Sequence, residues 1–188
     1  LRAADTIDMD KTAYTPIPFY DINKNSGAEV LPGKLRAGAP GWLETNVTRI
    51  YDPSHIWHDP SGRTYHLFAR FHYGGTNFCA MFLATERDDG GISLGFEKNP
   101  SGRNVAFLPM PGGHMKFYIL YDNVTKLYWL LSTQSTDSMI KPELLSADRY
   151  NLPNNERQRL VLHFSKNLVD WCFAGIVDVG ETQRQARH

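Results

Sequence analysis

The chain has 188 residues, 41% hydrophobic and 12% aromatic, and its 20 basic and 20 acidic side chains cancel. That length suits one domain with a buried core, and the balanced charge leaves no electrostatic footprint for nucleic acid or an anionic membrane. No stretch approaches the roughly 18 consecutive apolar residues of a spanning helix, so neither nucleic acid nor membrane is an expected partner.

Residues 1 to 45 carry Pro16, Pro18, Pro32 and Pro40 without a sustained period. They predict an irregular lead-in, with one strand near Thr15 to Tyr20 as the tail of an earlier unit. Glu44, Asn46 and Arg49 then lead into Tyr51-Asp52-Pro53.

The stretch from Tyr51 to Arg70 predicts two strands joined by a tight turn at Asp59-Pro60-Ser61-Gly62-Arg63, where proline presets one torsion and glycine supplies a positive one. On the second strand Tyr65, Leu67, Ala69 and Phe71 alternate with His66, Phe68, Arg70 and His72. The first set predicts a packed face and the second a face free to work.

The design returns 63 residues on, where Asp59, Tyr65 and Leu67 recur as Asp122, Tyr128 and Leu130 within FYILYDNVTKLYWLLST. A third strand is predicted over Asn77 to Thr85 and again over Arg159 to Ser165. A fourth is predicted over Ile92 to Glu97 and again over Trp171 to Val179. Four antiparallel strands repeated at this period predict an all-β fold of the β-propeller type, with a first blade over 46–98 and a second over 114–180. A two-sheet sandwich is the alternative. Two blades are about half of the smallest closed propellers, so the rest of a five- or six-bladed ring is expected from further chain.

Several segments are expected at a pocket mouth, because the innermost strand of a blade begins near the central channel. They include Glu44 and Arg49 before the first strand, Arg70 and His72 in the glycine-bearing loop after the second, and His114 and Lys116 at the start of the second blade. The insertion Gln134 to Gln158, with Asp137 and Glu156, exceeds an ordinary hairpin loop, and such loops collect binding residues.

No phosphate loop, dinucleotide fingerprint, nucleophile elbow or Cys/His metal spacing is present, so no metal or cofactor is expected. His55 and His58 stand at an odd spacing that sends them to opposite faces of a strand. Cys79 and Cys172 lie in apolar strands of different repeats and predict buried thiols rather than a disulfide. The sequons at Asn46 and Asn123 matter only to a glycosylating host.

Carboxylates and cations at strand starts suit glycosidic cleavage, which needs two carboxyls roughly 5 Å apart for retention and about 6.5 to 9.5 Å apart for inversion. Asp52 is the expected base, with Glu156 or Asp137 as the acid. The competing role of Asp52 is a turn cap before proline. The competing role of Glu156 is a pair with Arg157 or Arg159. Glu44, Arg49, Arg70, His72, His114 and Lys116 are expected to bind substrate through charge-assisted hydrogen bonds.

The segments DPSHIWHDPSGRTYHLFAR, FYILYDNVTKLYWLLST and SKNLVDWCFAGIV resemble the repeated elements of β-propeller glycoside hydrolases. Both the sialidase-like superfamily, including bacterial sialidase-family proteins, and the five-bladed propellers of families 43 and 32 share this look, over some three quarters of the chain. The resemblance implies a hydrolase acting on terminal sugars, a carbohydrate substrate, and a periplasmic or secreted setting rather than the cytoplasm. It assigns Asp52 the position of the family 43 general base, and Arg49 and Arg70 places in a sialidase arginine cluster. The stretch from Ser165 to Trp171 is one residue short of the Asp-box motif and lacks its glycine. A non-catalytic propeller that binds glycan or protein, and a glycoside phosphorylase, are the alternatives.

Overall fold

The computed structural model describes residues 42–71, 76–149 and 155–182. The predicted lead-in is outside the described residues up to position 41, and so is His72.

The described chain is all-β apart from two single 3-10 turns at Pro142–Leu144 and Ala147–Arg149. Two antiparallel meanders carry it. In the first, β1 (Trp42–Thr48), β2 (Thr64–Phe71), β3 (Phe78–Glu86) and β4 (Ile92–Gly95) lie side by side in chain order. The chain then leaves the sheet for the short pair β5 (Glu97–Lys98) and β6 (Asn104–Val105). It returns as β7 (Phe107–Pro109), which pairs with the first half of β3 while β4 pairs with the second. The outer position of the sheet is therefore filled by two segments. Asn99 to Gly113, expected to connect the repeats, instead gives β6 and β7 to the first one.

The second sheet is β8 (Phe117–Asp122), β9 (Leu127–Thr133), β10 (Arg159–Ser165) and β11 (Cys172–Val179), again in chain order. These bounds follow the apolar alternation of the sequence closely, since β8 and β9 each bury every second residue. Neither sheet closes on itself.

The first predicted hairpin needs correcting. Tyr51 to His58 is not a strand; the neighbour of β2 is β1, joined from Trp42↔Phe71 to Thr48↔His66 with a bulge between Leu43 and Asn46. Local bonds win in the 51–58 stretch. His55 N–H donates to the carbonyl of Asp52 at 3.1 Å and His58 N–H to that of His55 at 2.9 Å. Asp and Ser side chains beside a proline offer the backbone a better partner than a ladder does.

The turn at Asp59 forms as expected: its carboxylate accepts the amides of Ser61 at 2.9 Å and Arg63 at 3.1 Å. Asp122 does the same for Val124 at 3.0 Å and Thr125 at 3.1 Å. Each copy thus carries an aspartate that collects nearby amides, but only Asp122 does so in a hairpin, between β8 and β9, whereas Asp59 stands in the turn that leads into β2.

The main core lies between the sheets. Phe68, Cys79, Met81 and Leu108 of the first sheet meet Phe117, Ile119, Tyr128 and Leu130 of the second, with Leu168 wedged in from the β10–β11 turn. The face of β2 expected to be free is therefore a buried one. His66 and Arg70, on either side of Phe68, are covered because each has a carboxylate partner: Glu97 at 2.8 Å and Glu44 at 2.9 Å. On the reverse face Ala69, Ala80 and Phe82 form a second, smaller cluster, so both faces of the sheet pack.

Cys79 is buried, its thiol pKa raised by burial, while Cys172 is exposed, against expectation; both thiols are free. Cys172 heads β11, an outer strand covered on one side only. Among the described residues no helix is long and apolar enough to cross a membrane.

Candidate functional site

The two sheets meet through their first strands, and one side chain joins them. Asn46 of β1 donates its amide N–H to the carbonyl of Phe117 at 3.0 Å and accepts the N–H of Ile119 at 3.1 Å. A planar amide with one donor and one acceptor satisfies a strand edge as another strand would. This fixes β1 against β8 and sets Glu44, two residues earlier, beside Lys116, which immediately precedes β8.

Glu44 is the centre of a charged group at this end. Its Oε2 accepts from Arg70 Nη1 at 2.9 Å, and its Oε1 lies 3.4 Å from Lys116 Nζ. Arg70 Nε donates to the carbonyl of His114 at 3.3 Å. His114 is wholly buried, and its Nδ1 accepts the N–H of Asn77 at 3.0 Å, which leaves the ring proton for Nε2 in the neutral form. Partial burial pushes the Glu44 carboxyl up, but the hydrogen bond and charge of Arg70, with those of Lys116, outweigh it, so the pKa falls below the ordinary glutamate value of 4.5. Glu44 is thus an ionised carboxylate open to solvent. Its φ of 47° lies in the left-handed region at the β1 bulge, where a non-glycine residue is strained; such strain collects at functional sites.

The loop that delivers His114 and Lys116 cannot be built with larger residues. A Cβ on Gly112 would stand 2.5 Å from the carbonyl oxygen of Thr133, and one on Gly113 would stand 2.7 Å from the backbone of Phe78. Gly112 also has φ +71°. The Gly112-Gly113 pair is the reason that a loop fits between β3 and the end of β9.

Three expected binding side chains, Glu44, Arg70 and Lys116, therefore come together, while His114 joins them only through its backbone carbonyl and keeps its ring buried against the Asn77 amide. Arg49 does not join them. Its guanidinium lies over the Tyr65 ring at 4.3 Å and donates to the Tyr65 hydroxyl. Tyr65 and Arg70 are five residues apart on β2, about 16 Å at the strand rise, so Arg49 and Arg70 form no common cluster.

The expected acids behave differently. Glu156 is fully buried and accepts the Thr136 N–H and hydroxyl, each at 2.7 Å, the Asp137 N–H at 2.9 Å, and a guanidinium N–H of Arg159. Burial raises its pKa, and these donors outweigh burial, so the carboxyl is held below its ordinary value. Asp137 is paired with Arg149, whose other amino group lies 3.8 Å from Glu156. One guanidinium thus fills the space between the two carboxylates. The network pins the 134–158 excursion to the start of β10, and the pairing of Glu156 with Arg159 foreseen from the sequence is the one that forms.

Asp52 is elsewhere. Tyr51 stacks on Tyr121 at 4.2 Å and bonds to the Tyr128 hydroxyl, which puts Asp52 at the hairpin end of β8 and β9. Glu156 stands at the opposite end, the length of β10 away, about 20 Å at the strand rise. The expected pairing of Asp52 with Glu156 or Asp137 therefore does not form. The Asp52 carboxylate accepts from Ser54 N–H at 2.9 Å and Ser54 hydroxyl at 2.7 Å, and these bonds lower its pKa.

The same bonds recur twice: Asp59 accepts from Ser61 N–H and hydroxyl at 2.9 and 2.7 Å, and Asn99 from those of Ser101 at 3.1 and 2.8 Å. The signal was in the sequence as three copies of Asx-Pro-Ser. The Ser165 to Trp171 motif is likewise a self-bonded turn, in which Asn167 Oδ1 accepts the amides of Val169 at 3.0 Å and Asp170 at 2.8 Å.

Among the described residues no three His, Cys, Asp or Glu side chains gather closely enough to hold a metal ion. The chain matches no family model, no curated protein and no solved structure.

Proposed function

We propose that the two meanders are consecutive blades of a β-propeller and that the chain belongs to a carbohydrate-active protein of the glycoside hydrolase class. The observation that carries the reading is the convergence of Glu44, Arg70 and Lys116 where β1 and β8 begin side by side, with Arg70 held by the main-chain carbonyl of His114. An ionised carboxylate beside an ammonium and a guanidinium can accept from one sugar hydroxyl and donate to the next, or act as the base that activates water at an anomeric carbon. Glu44, rather than Asp52, is the carboxylate suited to that work. The proposed substrate is a terminal sugar.

The test is release of nitrophenol from a panel of aryl glycosides by the full chain. Wild-type turnover and its loss in Glu44→Gln, measured at temperatures where the variant is still folded because Arg70 loses its charged partner, is the expected result. Turnover that survives Glu44→Gln overturns the assignment. Turnover that requires added phosphate moves the reading to a phosphorylase, for which Arg70 and Lys116 supply the cations.

One observation favours a second reading, a non-catalytic propeller that binds glycan. Asp137 and Glu156 share their guanidinium partner, so among the described residues neither expected acid is left to protonate a leaving group. That reading predicts sugar binding weakened by Glu44→Gln with no turnover in the wild type.

A further inference from the structure

The second sheet packs through one face and leaves the other bare. Across β8, β9 and β10 the packed face carries two rows in register, Phe117 with Ser132 and Val161, and Ile119 with Leu130 and His163. All six are buried. One residue along each strand, the opposite face carries Tyr118 with Leu131 and Leu162, and Leu120 with Trp129 and Phe164. Tyr118 is 61% exposed and Leu120 54%, and the other four are half-buried. None of these six belongs to either apolar cluster of the described residues.

The bare face is therefore the more apolar of the two. Its rows hold no charge and no polar group beyond the Tyr118 hydroxyl and the Trp129 indole, whereas the packed rows include a serine and a histidine. An antiparallel sheet that shows one face to water alternates to polar residues there. This sheet does not alternate. A contiguous apolar patch of this kind marks a surface that something covers.

Shape and size say what the cover is. The rows lie flat at strand spacing, and the reverse of the same three strands is already covered by a sheet, the partner whose side chains interleave with such rows at about 10 Å. With no charge in either row, an acidic or basic partner finds nothing to pair with. Four strands about 4.8 Å apart, six residues long at about 3.4 Å each, make a face of roughly 400 Å². A stable complex of two free proteins takes about 800 Å² from each side. A partner linked to the same polypeptide needs less, because the link raises its effective concentration to the order of 1 mM.

We propose that a further antiparallel β-sheet of the same polypeptide covers this face and continues the stack that the two meanders begin. That the face is covered rests on its own residues; that the cover is a linked sheet rests on the size of the face and on the propeller reading above.

The test places the photoreactive p-benzoylphenylalanine at position 118, in the protein as its whole gene encodes it, and maps the cross-link by mass spectrometry. The expected result is a cross-link within one molecule, to a segment outside the two meanders whose amides resist hydrogen exchange as those of β9 do. Leu120→Lys buries an ammonium under the cover and should lower the melting temperature by at least about 5 °C, equally at 1 and 100 μM protein on the order of those concentrations. Val124→Lys, in a turn and 88% exposed, should leave it unchanged.

A cross-link to a second copy, a cross-link to a segment without exchange protection, or no cross-link overturns the proposal. So does a Leu120→Lys variant as stable as wild type, or one whose loss of stability depends on protein concentration. Where the photoreactive variant does not fold, Leu120→Lys at the two concentrations decides alone. Turnover of aryl glycosides by a protein whose face is uncovered sinks this surface and keeps the hydrolase reading. A covered face in a protein without turnover keeps the surface and sinks the hydrolase.

Discussion

Asn46 bonds Ile119 as a strand would, accepting its N–H at 3.1 Å while donating to the neighbouring Phe117 carbonyl at 3.0 Å, and this single side chain ties the first sheet to the second. Asn46→Ala leaves an N–H and a C=O of β8 without partners. Each orphaned group costs about 1–3 kcal/mol where water does not reach it, so the variant should lose about 2 kcal/mol in urea unfolding. Because Asn46 also sets Glu44 against Lys116, the same variant should weaken the sugar binding proposed for that site even at temperatures where it stays folded. A variant as stable as wild type would show that the core alone holds the sheets.

Asp52 offers the sharpest contrast with expectation. Three Asx-Pro-Ser turns make the same pair of bonds, and in one of them asparagine does the work. Asp52→Asn should therefore leave the melting temperature and any glycan binding or turnover at wild-type values, whereas Asp52→Ala removes both turn bonds and should lower the melting temperature slightly. Loss of turnover in Asp52→Asn with unchanged folding would restore Asp52 as a catalytic group.

Glu156 carries the excursion after β9. Glu156→Gln removes the charge that Arg149 and Arg159 face, and breaking a buried pair on one side costs about 3–5 kcal/mol. The pH dependence has a definite sign. The folded pKa lies below the ordinary 4.5, so the stability that Glu156 contributes is present above that value and is lost as the pH falls through the folded one. Acid unfolding of wild type should therefore be steeper below pH 4.5 than that of Glu156→Gln, as read by fluorescence. Parallel acid profiles would mean that the carboxylate is not the group held ionised.

What could be read in the sequence divides along physical lines. β8 to β11 are dense in apolar and β-branched residues at a period of two, and their bounds emerge almost unchanged. β1, Trp-Leu-Glu-Thr-Asn-Val-Thr, is half polar and bulged at Glu44, so nothing local marks it; its strand state comes from Phe117 and the ladder to β2. The stretch 51–58 misleads in the opposite way, since its aromatic and β-branched residues suit a strand while its Asp-Pro-Ser turn forbids one.

For the site, position along the strands was enough to group Glu44, Arg70, His114 and Lys116. It was not enough for Glu156, whose fate depends on Arg149 folding back across a long insertion. His163 and Trp171 look like core residues in sequence.

Tyr128 buries its ring in the core yet spends its hydroxyl twice, donating to the Arg49 carbonyl at 2.7 Å and accepting the Tyr51 N–H at 3.0 Å. It thereby holds the segment after β1 against the second sheet. Burial pushes its pKa from 10.0 to about 12, more than the Tyr51 amide pulls it down. The folded value is the higher one, so this stability is whole below pH 10 and disappears as the pH rises through about 12, where the phenolate can no longer donate to Arg49. Tyr128→Phe keeps the ring and removes both bonds, at a cost of about 1–3 kcal/mol at neutral pH. The gap between wild type and variant in urea unfolding should hold to pH 10 and then close toward pH 12. A gap that stays constant to the alkaline limit would mean that the hydroxyl does not link the sheets, and that the ring alone accounts for the place of Tyr128 in the core.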